Sequence, residues 1–139
     1  MRKADRIITF GPGAAQFYAD EYQMAKPDLI RNCRYLFTPT EPDTRIRKDC
    51  NLSPDDKLVV ILNTLYQGQG LEQVIEAMSY LDENIHICTV GWDVEGGAYL
   101  GACLALAQDG NVTDRLHFLG RRTTEDLIPY ASGGDIGLM

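Results

Sequence analysis

From Lys57 onward the chain alternates continuous apolar runs with stretches whose apolar residues recur at helical spacing. Lys57-Leu-Val-Val-Ile-Leu62 has the pattern of a strand buried on both faces, and residues 63–70 after it read as a loop. Leu71, Val74, Ile75 and Met78 then fall at i, i+3, i+4 and i+7, one face of an amphipathic helix. Residues 84–90 predict a second strand and residues 91–97 a loop. The next segment sets Tyr99, Leu100, Cys103, Leu104 and Ala107 on one side of a second helix, which Gly110-Asn111 stops. Residues 115–119 predict a third strand, and Gly120 opens a loop. Thr124 is the expected cap of a short helix containing Leu127, Tyr130 and Ala131, and residues 135–139 predict a fourth strand.

Strands alternating with helices predict a parallel sheet built from right-handed crossovers. The fold class is therefore α/β, half of a doubly wound, Rossmann-like sheet with expected order third-second-first-fourth. Ligands of such sheets bind at the carboxyl ends of the strands where the order reverses, here between the strand ending at Leu62 and the one ending at Met139. Upstream, residues 5–10 predict a short strand, Gly11-Pro12-Gly13 a turn, residues 14–22 a helix and residues 27–30 another strand. Between Asn32 and Asp49 the period is lost. Pro39, Pro42 and the basic cluster Arg45, Arg47 and Lys48 predict an irregular connection with one helical turn near residues 45–50. The expected organisation is thus a β-α-β segment over 1–32, a linker over 33–56 and the half-sheet over 57–139.

Composition narrows the function. With 139 residues, 45% hydrophobic and 24% charged, the chain is an ordinary globular polypeptide and not a disordered one. No apolar run approaches the roughly 20 residues of a membrane helix, and membrane association is not indicated. The first residues lack the apolar core of a signal peptide, so the expected location is cytoplasmic. A net charge of −7 argues against nucleic acid as the main partner. That charge is uneven: residues 1–50 carry nine Lys/Arg and seven Asp/Glu, whereas residues 51–139 carry four and thirteen. An anionic ligand of the second part must rely largely on backbone groups and on Arg121 and Arg122. Cys33, Cys50, Cys88 and Cys103 show no zinc spacing and are expected to be reduced, with Cys88 and Cys103 in the core. His86 and His117 fall inside apolar runs without a partner at ligand spacing and read as structural; no metal site is expected.

Three loops converge on the carboxyl edge. Gly68-Gln69-Gly70 precedes a helix, where glycines let backbone N–H groups approach a phosphate; a plain turn is the simpler reading of those glycines alone. Without a third glycine the loop is a poor nicotinamide-dinucleotide fingerprint, which disfavours an oxidoreductase. Gly91-Trp92-Asp93 reads as a turn with a partly buried Trp; its Asp stands where a ribose-binding acid would, though an Asp in a loop is commonplace. In Gly120-Arg121-Arg122, two arginines at a strand end suit a phosphate or a stacked base, or are simply solvated.

Together these segments resemble the GT-B-fold, retaining glycosyltransferases of family 4, also called group 1. Ala4-Asp5-Arg6-Ile7-Ile8-Thr9 is similar to the last strand of that family's acceptor-side domain, and Ile30-Arg31-Asn32 to the crossing into the donor-side domain. Gly68-Gln69-Gly70-Leu71-Glu72 resembles its phosphate loop. Arg115-Leu116-His117-Phe118-Leu119-Gly120 and Gly134-Asp135-Ile136-Gly137-Leu138 resemble its RVHFLG and ADIGL strands.

The resemblance implies sugar transfer from a nucleotide-sugar to a sugar or glycolipid acceptor, with retention at the anomeric carbon and no metal or other cofactor. It implies that residues 57–139 are part of a nucleotide-sugar-binding domain. Gly68, Gln69 and Gly70 would then face the donor diphosphate, and Arg121, Arg122 and Gly91 the nucleotide. The chain departs from the family at Gln69, where a Lys or Arg is usual, and around Asn63–Thr64, a second basic position. The family's paired glutamates, which follow the fourth strand, and most of the acceptor-side domain lie outside this sequence. The chain is therefore expected to be a part of a longer enzyme and inactive alone, and no catalytic residue is assigned. The alternative is a non-catalytic nucleotide- or partner-binding module with an apolar edge at Ile136 and Leu138.

Overall fold

The computed structural model describes residues 4–32, 41 and 43–138. They form two units, one within residues 1–37 and one within residues 38–139. In the first, β1 (Ile8–Thr9) and β2 (Asp28–Leu29) pair in parallel and are joined through α1 (Pro12–Glu21), as the sequence predicts. Pro12 opens α1, where its missing N–H forfeits no intrahelical bond.

The second unit runs α2 (Arg45–Asp49), β3 (Lys57–Leu62), α3 (Leu71–Ala77), β4 (Ile85–Val90), α4 (Ala98–Asp109), β5 (Leu116–Phe118), α5 (Thr124–Ala131) and β6 (Ile136–Leu138). Its four strands are all parallel in the order β5-β4-β3-β6, which is the order expected from the alternation. Lys57 to Leu62 face Ile85 to Val90, and β6 joins β3 from Val59 to Ile61. Asp135 fastens β6. Its N–H donates to the Leu58 carbonyl at 2.8 Å, and its carboxylate accepts the Leu58 N–H at 2.8 Å and Arg47 at 3.0 Å. The Leu58 amide, with Arg47, holds the Asp135 carboxyl below the usual carboxylate range.

The two-residue period of the strands divides the core between the two faces of the sheet. Leu58, Val60, Cys88 and Val90 pack with Ile46 of α2 and Tyr130 of α5. Ile61 and Ile87 pack with Leu71, Ile75, Met78, Tyr99 and Cys103. Cys50, Cys88 and Cys103 are free and buried; Cys33 lies outside the described residues. A hydrogen bond to Cys50, together with burial, pushes the Cys88 thiol up.

Local details differ from the sequence reading. The cap of α5 is Thr123, whose hydroxyl accepts the Asp126 N–H, and Thr124 is the first helical residue. On α4 the buried stripe is Tyr99, Cys103 and Ala107; Leu104 is exposed, because α4 packs on α3 and the sheet over one narrow face only. Met78 is fully buried as expected but opens a 3-10 turn at the end of α3. Within the stretch expected as a linker, Ile46 of α2 is fully buried against the sheet, while residues 33–40 and 42 lie outside the described residues. No described helix is long and apolar enough to cross a membrane.

At the amino end of the sheet, His86 of β4 and His117 of β5 stack with ring centroids 5.3 Å apart. His86 Nδ1 lies 3.0 Å from His117 Nε2, so one nitrogen must donate and the other accept. Burial lowers both imidazoles from their ordinary 6.5; Asp56 opposes this at His86, and Arg115 and Arg47 add to it, while His117 is lowered further by His86. The unfolded chain therefore binds protons first as pH falls below 6.5. This contribution to stability is complete above 6.5 and is lost as pH drops below it. The expected result is a lower urea midpoint at about pH 5.5 than at about pH 7.5. A His117→Gln variant should show a flatter dependence; an equal slope in the variant would assign the effect elsewhere.

Candidate functional site

The loops after β3, β4 and β5 meet at the carboxyl edge of the sheet. Their meeting depends on Gly91. A Cβ there would sit 1.7 Å from the Asn63 carbonyl oxygen, so only glycine lets the first two loops come this close. The Gly91 N–H donates to the Gly120 carbonyl at 3.0 Å, which brings in the third loop. Gly120 itself has φ +69°, a left-handed conformation suited to glycine. The β3 and β4 loops are tied again where Leu65 N–H donates to the Trp92 carbonyl at 2.9 Å and Val94 N–H to the Leu65 carbonyl at 3.2 Å.

These loops border a cavity of about 250 Å³ lined by Leu62, Asn63, Thr64, Val90, Gly91, Trp92, Arg121, Arg122 and Leu127. Gly91, Arg121 and Arg122 thus share one cavity. It lies over β3 and β4; the crevice expected between β3 and β6 involves Met139, which lies outside the described residues. Gly68, Gln69 and Gly70 are not among the lining residues, but they connect to it: Asn63 Nδ2 donates to Gln69 Oε1 at 2.8 Å. Gly68 (φ +92°) and Gly70 (φ +82°) both adopt left-handed conformations, and Gly70 immediately precedes α3. The two positions where the resembled family would carry cations are therefore neutral, and the Asn63 and Gln69 amides are bonded to each other.

The two arginines have different surroundings. Arg122 donates to Asp49 Oδ2 at 3.0 Å, and its guanidinium carbon sits 4.1 Å from the Tyr130 ring centroid. The Tyr130 hydroxyl donates to the same Asp49 oxygen at 2.6 Å. Burial and that bond push the phenol up to about 12, so it remains a donor at neutral pH. Arg45, whose guanidinium carbon lies 5.5 Å from the same ring centroid, joins Asp126 at 2.6 Å and also pairs with Asp43, whose carboxyl it holds below the usual range. Arg121 instead lies over the indole of Trp92, 4.7 Å from the ring centroid.

Asp93 has a structural role that its position in a loop did not reveal. Its carboxylate accepts the Glu95 N–H of the preceding loop at 2.6 Å and the Leu100 N–H at 2.8 Å, the latter in the first turn of α4, where Gly97 supplies no side-chain cap. Both oxygens are thereby engaged. Asp49 and Tyr130 were not legible as site residues, because Asp49 reaches Arg122 and Tyr130 across 73 and 81 positions of chain. Among the described residues no cluster of three or more His, Cys, Asp or Glu side chains is arranged to hold a metal ion.

No family model matches this sequence, and no curated protein matches it significantly. Solved structures do resemble it. The sucrose-phosphate synthase of Thermosynechococcus elongatus superposes with a TM-score of 0.76 at 24% identity, over 97% of this chain and 34% of that one. Anabaena HepE in complex with UDP and glucose gives 0.73 at 18% identity, over 96% and 37%. WaaG, a glycosyltransferase involved in lipopolysaccharide biosynthesis, gives 0.71 at 17% identity, over 95% and 37%. The chain spans about a third of the length of these structures. At such identities the likeness establishes the fold: the chain has the parallel α/β arrangement found within these glycosyltransferases.

Proposed function

We propose that this chain is the nucleotide-binding part of a GT-B glycosyltransferase of the retaining family 4 type. In this reading it holds a nucleotide-sugar donor at the carboxyl edge of its parallel sheet, and the sugar passes to an acceptor with retention at the anomeric carbon. One observation carries the reading: the order β5-β4-β3-β6 brings Gly91, Arg121 and Arg122 onto a single cavity at the edge where such sheets bind ligands. The structural likeness to HepE, whose structure contains UDP and glucose, supports it. Residues 68–70 take the diphosphate and the cavity takes the nucleoside. Within the enzyme, donors aimed at the diphosphate would stabilise it as a leaving group while charge develops on it.

Titration calorimetry of the chain with nucleoside diphosphates tests this. Binding of at least one is expected, weakening with added salt. Gln69→Lys replaces a neutral amide, whose oxygen accepts from Asn63, by a charged donor. It should tighten diphosphate binding about five-fold, since a charged hydrogen bond exceeds a neutral one by about 1 kcal/mol. If no nucleoside diphosphate binds, the transferase reading fails, and a partner-binding module with an interface at Ile136 and Leu138 takes its place.

A further inference from the structure

We propose that Trp92, with Arg121 laid over it, is the platform on which the base of the bound nucleotide stacks. The proposal deepens the nucleotide reading above and rests on it. Three features point to it. First, the Trp92 backbone is held between Gly91 pressed on the Asn63 carbonyl and the Leu65 N–H bonded to its own carbonyl, while the residue is 45% exposed and borders the cavity. A large flat ring placed at the rim of a cavity and partly open to solvent is arranged for a planar ligand.

Second, the neighbouring cations are not equivalent. Arg122 is bonded to Asp49 and lies over the Tyr130 ring, whereas Arg121, among the described residues, forms no ion pair and lies over the Trp92 indole. Its charge is still available to an anion. Third, residues 51–139 hold only four cations against thirteen acids, so an uncompensated arginine at this cavity is a rare resource in its half of the chain. A phosphate alone would use the guanidinium charge and leave the stacked planar surface of Trp92 and Arg121 unused. A neutral aromatic would use the indole and leave the charge unmatched. A nucleotide satisfies both, with its base on the indole–guanidinium pair and its negative charge near Arg121.

Trp92 is the only tryptophan of the chain, so its fluorescence reports on this site without any substitution. Uridine, adenosine and guanosine diphosphates are titrated into the chain by fluorescence and by calorimetry in parallel, with pyrophosphate and ribose 5-phosphate as ligands that lack a base. The expected result is a change in Trp92 emission that follows the calorimetric isotherm for a diphosphate that binds and is absent with the baseless ligands. Trp92→Leu should weaken that binding about 5- to 150-fold, and Trp92→Phe should weaken it less. Calorimetric binding with silent fluorescence, or with Trp92→Leu affinity unchanged, overturns the platform and leaves the nucleotide site standing. An equal fluorescence response to pyrophosphate also overturns it. No binding of any nucleoside diphosphate overturns both readings.

Discussion

Gly91→Ala is expected to destabilise the protein by about 3 kcal/mol, the upper end of what overpacking usually costs. The reason is the nature of the obstacle. The new methyl would lie 1.7 Å from the Asn63 carbonyl oxygen and 2.8 Å from its carbonyl carbon. A flexible side chain can swing aside, but this obstacle is backbone, so a loop must move. Moving the β4 loop strains the Gly91–Gly120 hydrogen bond; moving the β3 loop strains the Leu65–Trp92 bond. Either displacement also reshapes the cavity that Asn63, Gly91 and Trp92 line. Urea unfolding should therefore show a large fall in midpoint, and the nucleotide affinity proposed above should fall in whatever population remains folded. Gly101→Ala is the matched control: it lies within α4 with nothing within 4 Å of the added carbon. It should raise stability by about 0.5–1 kcal/mol through helix propensity. Gly91→Ala with an unchanged midpoint would mean that the two loops are not in contact in solution.

Met78→Ala should cost about 2–5 kcal/mol, the range for emptying a fully buried position of this size. Met78 is completely buried in the cluster with Ile75, Leu71, Ile87 and Tyr99. Its surroundings are poorly able to collapse onto the space. Arg115 clamps the Met78 carbonyl at 2.9 Å while also bonding the Asp82 and Ile85 carbonyls, so the turn after α3 is tied to the entry of β4. That clamp holds the backbone in place while the cavity remains, which favours the upper part of the range. Met78→Leu, which nearly conserves volume, should cost under about 1.5 kcal/mol. Denaturant midpoints of the three proteins check this. A loss below about 0.5 kcal/mol for the alanine variant would show that the α3 face is not core.

These two positions illustrate different degrees of legibility in the sequence. Met78 was readable because its burial follows from a local period: residues 71, 74, 75 and 78 share one helix face wherever the helix packs. The same held for the strands. Continuous apolar runs separated by amphipathic stretches leave few arrangements other than parallel strands with helical crossovers, and the handedness of crossovers leaves fewer still. The importance of Gly91 was visible only as a glycine at a strand end. The physical constraint on it is a carbonyl 28 residues upstream, brought near by the pairing of β3 with β4.

The site divides in the same way. That its loops lie at one edge follows from chain direction alone, because every parallel strand ends at the same side of the sheet, and this much the sequence determined together with element order, fold class and the glycines that open each loop. The division of labour among side chains came from tertiary structure. Arg121 and Arg122 are adjacent in sequence and identical in type, yet one lies on Trp92 and the other is bound to Asp49 and Tyr130. His86 and His117 read as two separate structural histidines and became a bonded pair because β4 and β5 are neighbours in the sheet. Asn63 and Gln69 read as two missing cations and proved to be bonded to each other. Periodicity fixes which face of an element is apolar, since that depends only on the geometry of the element itself. Which polar groups meet depends on strand order, register and loop path, and these are properties of the packed chain as a whole.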